Sequence, residues 1–255
     1  MSLPLVELTA YLDDCLDVPR FSDYCPNGLQ VQGRDRVGRL ASGVTANQAL
    51  LDAAVAWGAD AVLVHHGYFW RGESPRVTGM KRRRLATLLG HDLSLLAYHL
   101  PLDAHPRWGN NARLGELLGI PLDRQEPLQP GDASAVGCIA TLAQPQPAQA
   151  LVDSLRQISG RAPLHIGAPE QAVARLAWCT GAAQGYLEAA LAAGADLYVT
   201  GEASEQTVHI AREEGIGFIA AGHHATERYG VQALGEHLAQ HFAIEHRYFD
   251  IDNPV

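Results

Sequence analysis

The sequence contains no uninterrupted apolar run of about 18 residues, the length a helix needs to cross a bilayer, so no membrane span is expected. It contains no Cys-x-x-Cys. Cys15, Cys25, Cys138 and Cys179 are widely spaced, which fits neither a structural zinc site nor a disulfide framework and points to reduced thiols in the cytoplasm. Basic clustering is scarce: the longest run is Lys81 to Arg84, read as a solvated helix face, and the formal net charge is -9. That balance argues against wrapping nucleic acid by phosphate neutralisation, although a few arginines lining a lumen would escape a whole-chain count. No Gly-x-x-x-x-Gly-Lys-Ser/Thr loop is present, so a bound nucleotide must be held by other means. Met1 to Ala10 carries Pro4 and Glu7 and lacks the basic start and apolar core of a signal peptide.

What is present is an ordinary globular composition, 47% hydrophobic and 18% charged, over 255 residues, enough for one large domain or two smaller ones. The most informative stretch is Asp60-Ala-Val-Leu-Val-His65-His66-Gly67. Its apolar, β-branched run reads as a buried strand, and ligands collect at the carboxyl ends of parallel strands. Two successive side chains of a strand face opposite ways, so both imidazoles can point in one direction only if the strand has just ended.

In chain order, helical spacing predicts a helix over Leu3 to Leu16, short strands at Leu29 and Val31 and over Arg39 to Val44, and a helix over Thr45 to Trp57 capped by Thr45 and stopped by Gly58. Lys81 to Gly90 reads as a short helix and Leu93 to Tyr98 as a second buried strand. Pro101 makes His99 to His105 a fixed loop. Asn110 to Leu118 reads as a helix capped by Asn110 or Asn111. Gln125 to Pro147, with a strand candidate at Ala135 to Leu142, is the passage between two halves: residues 1–124 carrying His65, His66 and Asp103, and residues 125–255 carrying His223 and Glu227, with C-terminal elements packing back on the first. Later helices are expected over Ala148 to Ile158, Tyr186 to Ala193, Glu205 to Glu214 and up to His241. Strands are expected around Leu176 to Thr180, Asp196 to Thr200, Gly217 to Ala221 and, at an edge, Tyr248 to Ile251.

An internal repeat supports two similar halves. Ala46 to Asp60 aligns without a gap on Ala182 to Asp196, with about nine of fifteen positions identical. The copies part where chemistry would sit: His65-His66 in the first, Gly201-Glu202 in the second. The fold class is therefore α/β, two similar halves with a metal site in the cleft between them.

Three expected strand ends carry potential ligands: His65-His66, His99 with Asp103, and His223 with Glu227, four apart on one helical turn. His91, His105, His209 and His224 are left as core or surface histidines. His65, His66, Asp103, His223 and Glu227 offer three nitrogens and two carboxylates. With both carboxylates bridging they supply about seven bonds, enough for two divalent cations with room for water. Nitrogen and oxygen donors without sulfur suit Zn, Mn or Fe and do not choose among them. Two such cations leave a cationic pocket suited to an anionic substrate.

Val64-His-His-Gly-Tyr-Phe-Trp70, His99-Leu-Pro-Leu-Asp-Ala-His105, Thr200-Gly-Glu202 and Gly222-His-His-Ala-Thr-Glu227 resemble the Nif-three-like (Ngg-one-interacting-factor-three-like) family, whose bacterial members are labelled GTP cyclohydrolase I type 2 homologues. The resemblance runs from Ser22-Asp-Tyr-Cys-Pro-Asn-Gly-Leu-Gln30 to Asp250-Ile-Asp-Asn-Pro254. It implies a dinuclear centre at the five ligands, with His99 as a neighbour, two similar α/β halves, and a toroidal homohexamer.

Two functions compete. One is a metal-dependent hydrolase in which a metal-bridged water attacks a nucleotide or other anionic substrate, His99 shuttles a proton, and Glu202 is a second catalytic candidate with Tyr68 in support. The alternative is a metal-binding, ring-forming interaction protein without turnover.

Overall fold

The computed structural model describes residues 2–132 and 134–255. It divides into two compact units: Met1–Leu102 with Gly230–Asp252, and Asp103–Tyr229 with Asn253–Val255. The first contains β1 (Leu3–Pro4), α1 (Leu5–Cys15), β2 (Gly28–Val31), β3 (Arg36–Val37), β4 (Arg39–Thr45), α2 (Gln48–Trp57), β5 (Ala61–His66), α3 (Gly79–Gly90) and β6 (Ser94–Ala97). The short helix α4 (Leu100–Ala104) carries the chain into the second unit. There follow α5 (Asn110–Leu117), β7 (Glu126–Pro127), β8 (Cys138–Pro147), α6 (Ala148–Ser159), β9 (Leu164–Ile166), β10 (Ala172–Trp178), α7 (Leu187–Ala192), β11 (Leu197–Thr200), α8 (Glu205–Glu214), β12 (Gly217–Ala220) and α9 (His223–Thr226). Helix α10 (Arg228–Phe242) and β13 (Glu245–Tyr248) belong almost wholly to the first unit.

The first unit is built on a five-stranded sheet ordered β13-β4-β5-β6-β2, parallel except for β2. Leu50, Leu51 and Ala54 of α2 and Leu88 of α3 pack on Val62, Val64 and Leu95 of the sheet. These strands read as near-continuous apolar runs because both faces of a parallel sheet are covered. The second unit has a six-stranded sheet ordered β7-β8-β10-β11-β12-β9, in which β10, β11 and β12 run parallel. Leu151, Val152 and Leu155 of α6 pack against Trp178, Leu197, Val199 and Ile219.

The repeat is structural. Each unit contains a βαβαβ run, β4-α2-β5-α3-β6 and β10-α7-β11-α8-β12. Asp60 and Asp196, which end the aligned segments, do the same work in each. The Asp60 carboxylate accepts from the backbone N–H of Gly38 and Arg39, both at 2.9 Å. That of Asp196 accepts from Ala174 and Arg175, both at 2.8 Å. Gly58 and Gly194, two residues ahead of each aspartate, take left-handed φ values of 77° and 76°, the conformation that ends a helix most cheaply with glycine.

Several expectations need correction. The N-cap of α2 is Asn47, whose side chain accepts from Leu50 N–H at 2.9 Å; Thr45 is the last residue of β4. His99 to His105 is not a loop: Leu100–Ala104 is helical, because Pro101 sits in the first turn, where the missing N–H costs nothing. Gly109 precedes α5, and Asn110 and Asn111 turn inward instead of capping it. The edge strand falls at Glu245–Tyr248, three residues earlier than its apolar pattern suggested. The chain leaves the first unit at Leu102 and returns at Gly230, so residue 124 lies inside the second unit and Asp103 belongs to it.

Candidate metal centre

In the first unit both histidines of the opening motif are strand residues. His65 and His66 end β5, and His66 pairs with Thr45 of β4. The strand thus does not stop before them, yet their ring centroids are 4.5 Å apart with the rings tilted by 43°. His99 follows β6, and its ring centroid is 5.0 Å from His65 and 5.8 Å from His66. One ligand atom from each of the three lies within 4.8 Å of the other two.

The hydrogen bonds around these rings determine which nitrogen presents a lone pair. His65 is fully buried, and its Nδ1–H donates to the Tyr98 carbonyl at 3.0 Å. A carbonyl only accepts, so neutral His65 carries its lone pair on Nε2. His99 Nδ1–H donates to the Asp23 carboxylate at 2.7 Å, which likewise leaves Nε2 as the lone-pair nitrogen. His66 Nδ1 is 3.2 Å from the Thr45 hydroxyl. Asp23 also accepts from Leu100 N–H and from Asn27 Nδ2, both at 2.9 Å. Burial alone would raise the Asp23 carboxyl, but the bond and charge of His99, with those two donors, hold it down at about 2. Cys25 is close enough to share a cation with Asp23 and His99. Burial and the Asp23 charge push its thiol up to about 12, so it is no thiolate donor at neutral pH.

In the second unit, Asp103 is buried on α4. Its carboxylate accepts from Asn110 Nδ2 at 2.8 Å and lies 3.4 Å from the Thr180 hydroxyl just past β10. Asn111 secures the same turn: its Nδ2 donates to the Asp103 carbonyl, and its Oδ1 accepts from Thr180 N–H at 3.0 Å. His223 follows β12 and stands between two carboxylates, Glu202 at Nδ1 (2.7 Å) and Glu227 at Nε2 (3.2 Å). Burial alone would lower its pKa; the bonds and charges of Glu227 and Glu202 raise it to about 9, so without a cation the ring is an imidazolium. Gly181, with φ at 73°, leaves the space that Glu227 fills. A Cβ there would overlap the carboxylate and sit 3.4 Å from His223 Nε2.

The five ligands named from sequence therefore fall as two sets, His65 and His66 in the first unit and Asp103, His223 and Glu227 in the second. Each donor ends a buried strand or sits on the turn or short helix that follows one. Histidines hydrogen-bonded at Nδ1 and a carboxylate, that of Asp103, held by an amide donor are the kind of surroundings metal ligands have. Glu202 bonds to His223 and so orients that ring. Tyr68 is a packing residue, its hydroxyl donating to the Ala46 carbonyl at 2.7 Å. Sequence reading assigned no site role to Asp23, Asn27 or Thr180, and none beyond helix capping to Thr45, Asn110 or Asn111. The Asp23-Tyr-Cys-Pro-Asn27-Gly turn, which offers an acid and an amide four residues apart, was the available signal.

A family model described as Duf34/NIF3 (NGG1p interacting factor 3) matches residues 4–254. A protein of Pseudomonas aeruginosa named GTP cyclohydrolase 1 type 2 homolog is 58% identical over 255 residues, covering all of both chains. Among solved structures, protein ybgI, titled as of unknown function, is 48% identical, with a TM-score of 0.93 over 99% of this chain and 100% of that one. A protein of Thermus thermophilus is 34% identical, with a TM-score of 0.86 over the same shares. With a match over nearly its whole length, the chain belongs to the Duf34/NIF3 family.

Proposed function

We propose that the protein is a metal-dependent hydrolase acting on an anionic substrate of the nucleotide class, with two divalent cations held by His65, His66, Asp103, His223 and Glu227. The observation that carries this reading is the state of the donors: each set is held by side chains or carbonyls that fix the ligating atom, as the outer partners of metal ligands do. The relatives' name points toward GTP as the first nucleotide to try. Bound cations of this kind supply Lewis acidity and acidify a coordinated water.

The chain's own residues do the rest. Glu202 holds His223 by Nδ1, which reserves Nε2 for ligation. Asn110 and Thr180 hold one oxygen of Asp103. His223 gives up a proton on becoming a ligand, because an imidazolium cannot ligate. His99, oriented by Asp23, is the proton carrier this reading assigns. The assembly that goes with it is a cytoplasmic homo-oligomer, a ring of six, which light scattering would register as six times the 27.4 kDa chain mass.

The test is turnover. Protein loaded with Mn or Zn is assayed on GTP, other nucleotides and phosphodiesters, beside Asp103→Ala and Glu227→Ala. Hydrolysis that drops by at least about a hundredfold in both variants supports the reading; activity that survives both removes it.

A further inference from the structure

We infer that the cleft between α7 and α8 in the second unit is a base site. It takes a heterocycle that presents a ring N–H beside an exocyclic amine, the edge that guanine carries. The inference deepens the proposed function, on whose nucleotide substrate class it rests, and uses none of the five metal ligands. It gives the base of that substrate a place and names Gln184 and Glu188 as the residues that read it.

The internal repeat supplies the comparison. Gln184 and Glu188 align with Gln48 and Asp52 of the first unit. There the amide nitrogen is spent: Gln48 Nε2 donates to Asp52 at 2.8 Å and to Thr87 of α3 at 2.9 Å. In the second unit no such contact forms. Among the described residues the Gln184 side chain makes no hydrogen bond, and its Oε1 is shut off from solvent without a partner. Gln48 Oε1 is unpaired too, so what sets the second copy apart is the unspent amide nitrogen and the open space beside it. That space is a cleft of about 790 Å³, within the range of small-ligand sites. Gln184, Leu187 and Glu188 line it from the turn into α7, and Ser204, Gln206 and Ile210 line it from α8 and its cap.

The lining selects the ligand. Gln184 opens a 3-10 turn that runs directly into α7, so Gln184 and Glu188, four residues apart, share a face. A carboxylate only accepts, and the amide oxygen beside it accepts again, so the ligand must bring adjacent donors. Among the described residues no Lys or Arg lines the cleft, which disfavours a phosphate there. Buried Leu187 and half-buried Ile210 offer apolar surface to the flat face of a ring. Guanine meets each requirement: its ring N–H and amine are adjacent donors, and its O6 can accept from the free amide nitrogen. Adenine sets a ring acceptor against the carboxylate instead. Ala182 follows Gly181, and Ser204 lies two residues past Glu202. The cleft therefore opens at the carboxyl ends of β10 and β11, where ligands of parallel sheets collect.

The experiment titrates the full-length protein as purified with guanosine, inosine and adenosine by calorimetry. Nucleosides carry no phosphate for a cation to hold, so the base alone is read. Wild type is expected to bind guanosine at least about tenfold more tightly than inosine, which lacks the amine, and than adenosine. Glu188→Gln, at an exposed side chain, is expected to weaken guanosine at least about tenfold, because a donor then faces a donor. Gln184→Ala is expected to weaken it by about threefold to tenfold. If Gln184→Ala does not fold, Glu188→Gln decides. Glu213→Gln, exposed near the far end of α8, is the control and should match wild type. Guanosine bound no better than adenosine, or bound within about twofold of wild type by both cleft variants, overturns the inference and leaves metal-dependent turnover standing. Turnover that fails while guanosine binding and its loss in Glu188→Gln persist removes the proposed function and leaves the cleft.

Discussion

A methyl group at Gly181 is the smallest change that probes the second unit's donors. The residue has φ at 73°, and its missing Cβ is the room the Glu227 carboxylate occupies. Gly181→Ala is expected to destabilise the protein by about 1–3 kcal/mol, from the left-handed backbone and the displaced carboxylate together. Urea unfolding measures the loss, and metal content should fall with it. An unchanged midpoint with full metal content would contradict the placement of Glu227. His246 sets a separate pH dependence. Burial lowers its pKa below the ordinary value, the Glu236 charge offsetting part of that, and its Nε2 sits 2.8 Å from the Ser42 hydroxyl. A histidine held neutral in the fold binds fewer protons than in the unfolded chain. Its contribution is therefore complete above about pH 6.5 and is lost as pH falls from there toward the lowered folded value. His246→Gln should flatten that acid limb in unfolding titrations; an unaltered slope would place the dependence elsewhere.

At the scale of elements, the two aspartates that close the repeats are the sharpest claim. Each takes two consecutive backbone N–H donors, Asp60 at the start of β4 and Asp196 at the register shift inside β10, and Asp60 also pairs with Arg34 at 2.8 Å. Asp60→Ala and Asp196→Ala should each cost about 1.5–3 kcal/mol, the range for hydrogen bonds to a charged group. A cost below about 0.5 kcal/mol in either would deny the equivalence of the copies. Much of this level was legible beforehand. The parallel strands announce themselves as apolar runs, the helices by spacing, and the repeat by identity in register. Illegible were the places where a polar side chain had two partners to choose between. Thr45 could cap α2 or meet His66, and it meets His66. Asn110 and Asn111 could cap α5 or serve Asp103, and they serve Asp103. The Asp23–His99 bond joins residues 76 apart, a pairing with no local period to reveal it.

For the whole molecule, the sequence conveyed two α/β units but not their borders. The expected passage at residue 124 was read from proline- and glutamine-rich composition. The chain in fact leaves the first unit inside α4 and re-enters it inside α10, and helical periodicity carries no mark of such a crossing. That histidines and acids gather near the ends of buried strands was legible, because those residue types stand out against the apolar runs they follow; the hydrogen bonds that fix their tautomers were not, since they follow from contacts made only on folding. If cations bind the folded chain and not the unfolded one, chelation should lower the melting temperature. A cation at about a hundred times its dissociation constant contributes about 2.7 kcal/mol. The most direct measurement is elemental analysis of freshly purified protein beside the Asp103→Ala, Glu227→Ala double variant. The account predicts about two divalent ions per chain in the wild type and loss of at least one in the variant. A wild type without bound metal, or a double variant that retains the full complement, would contradict it.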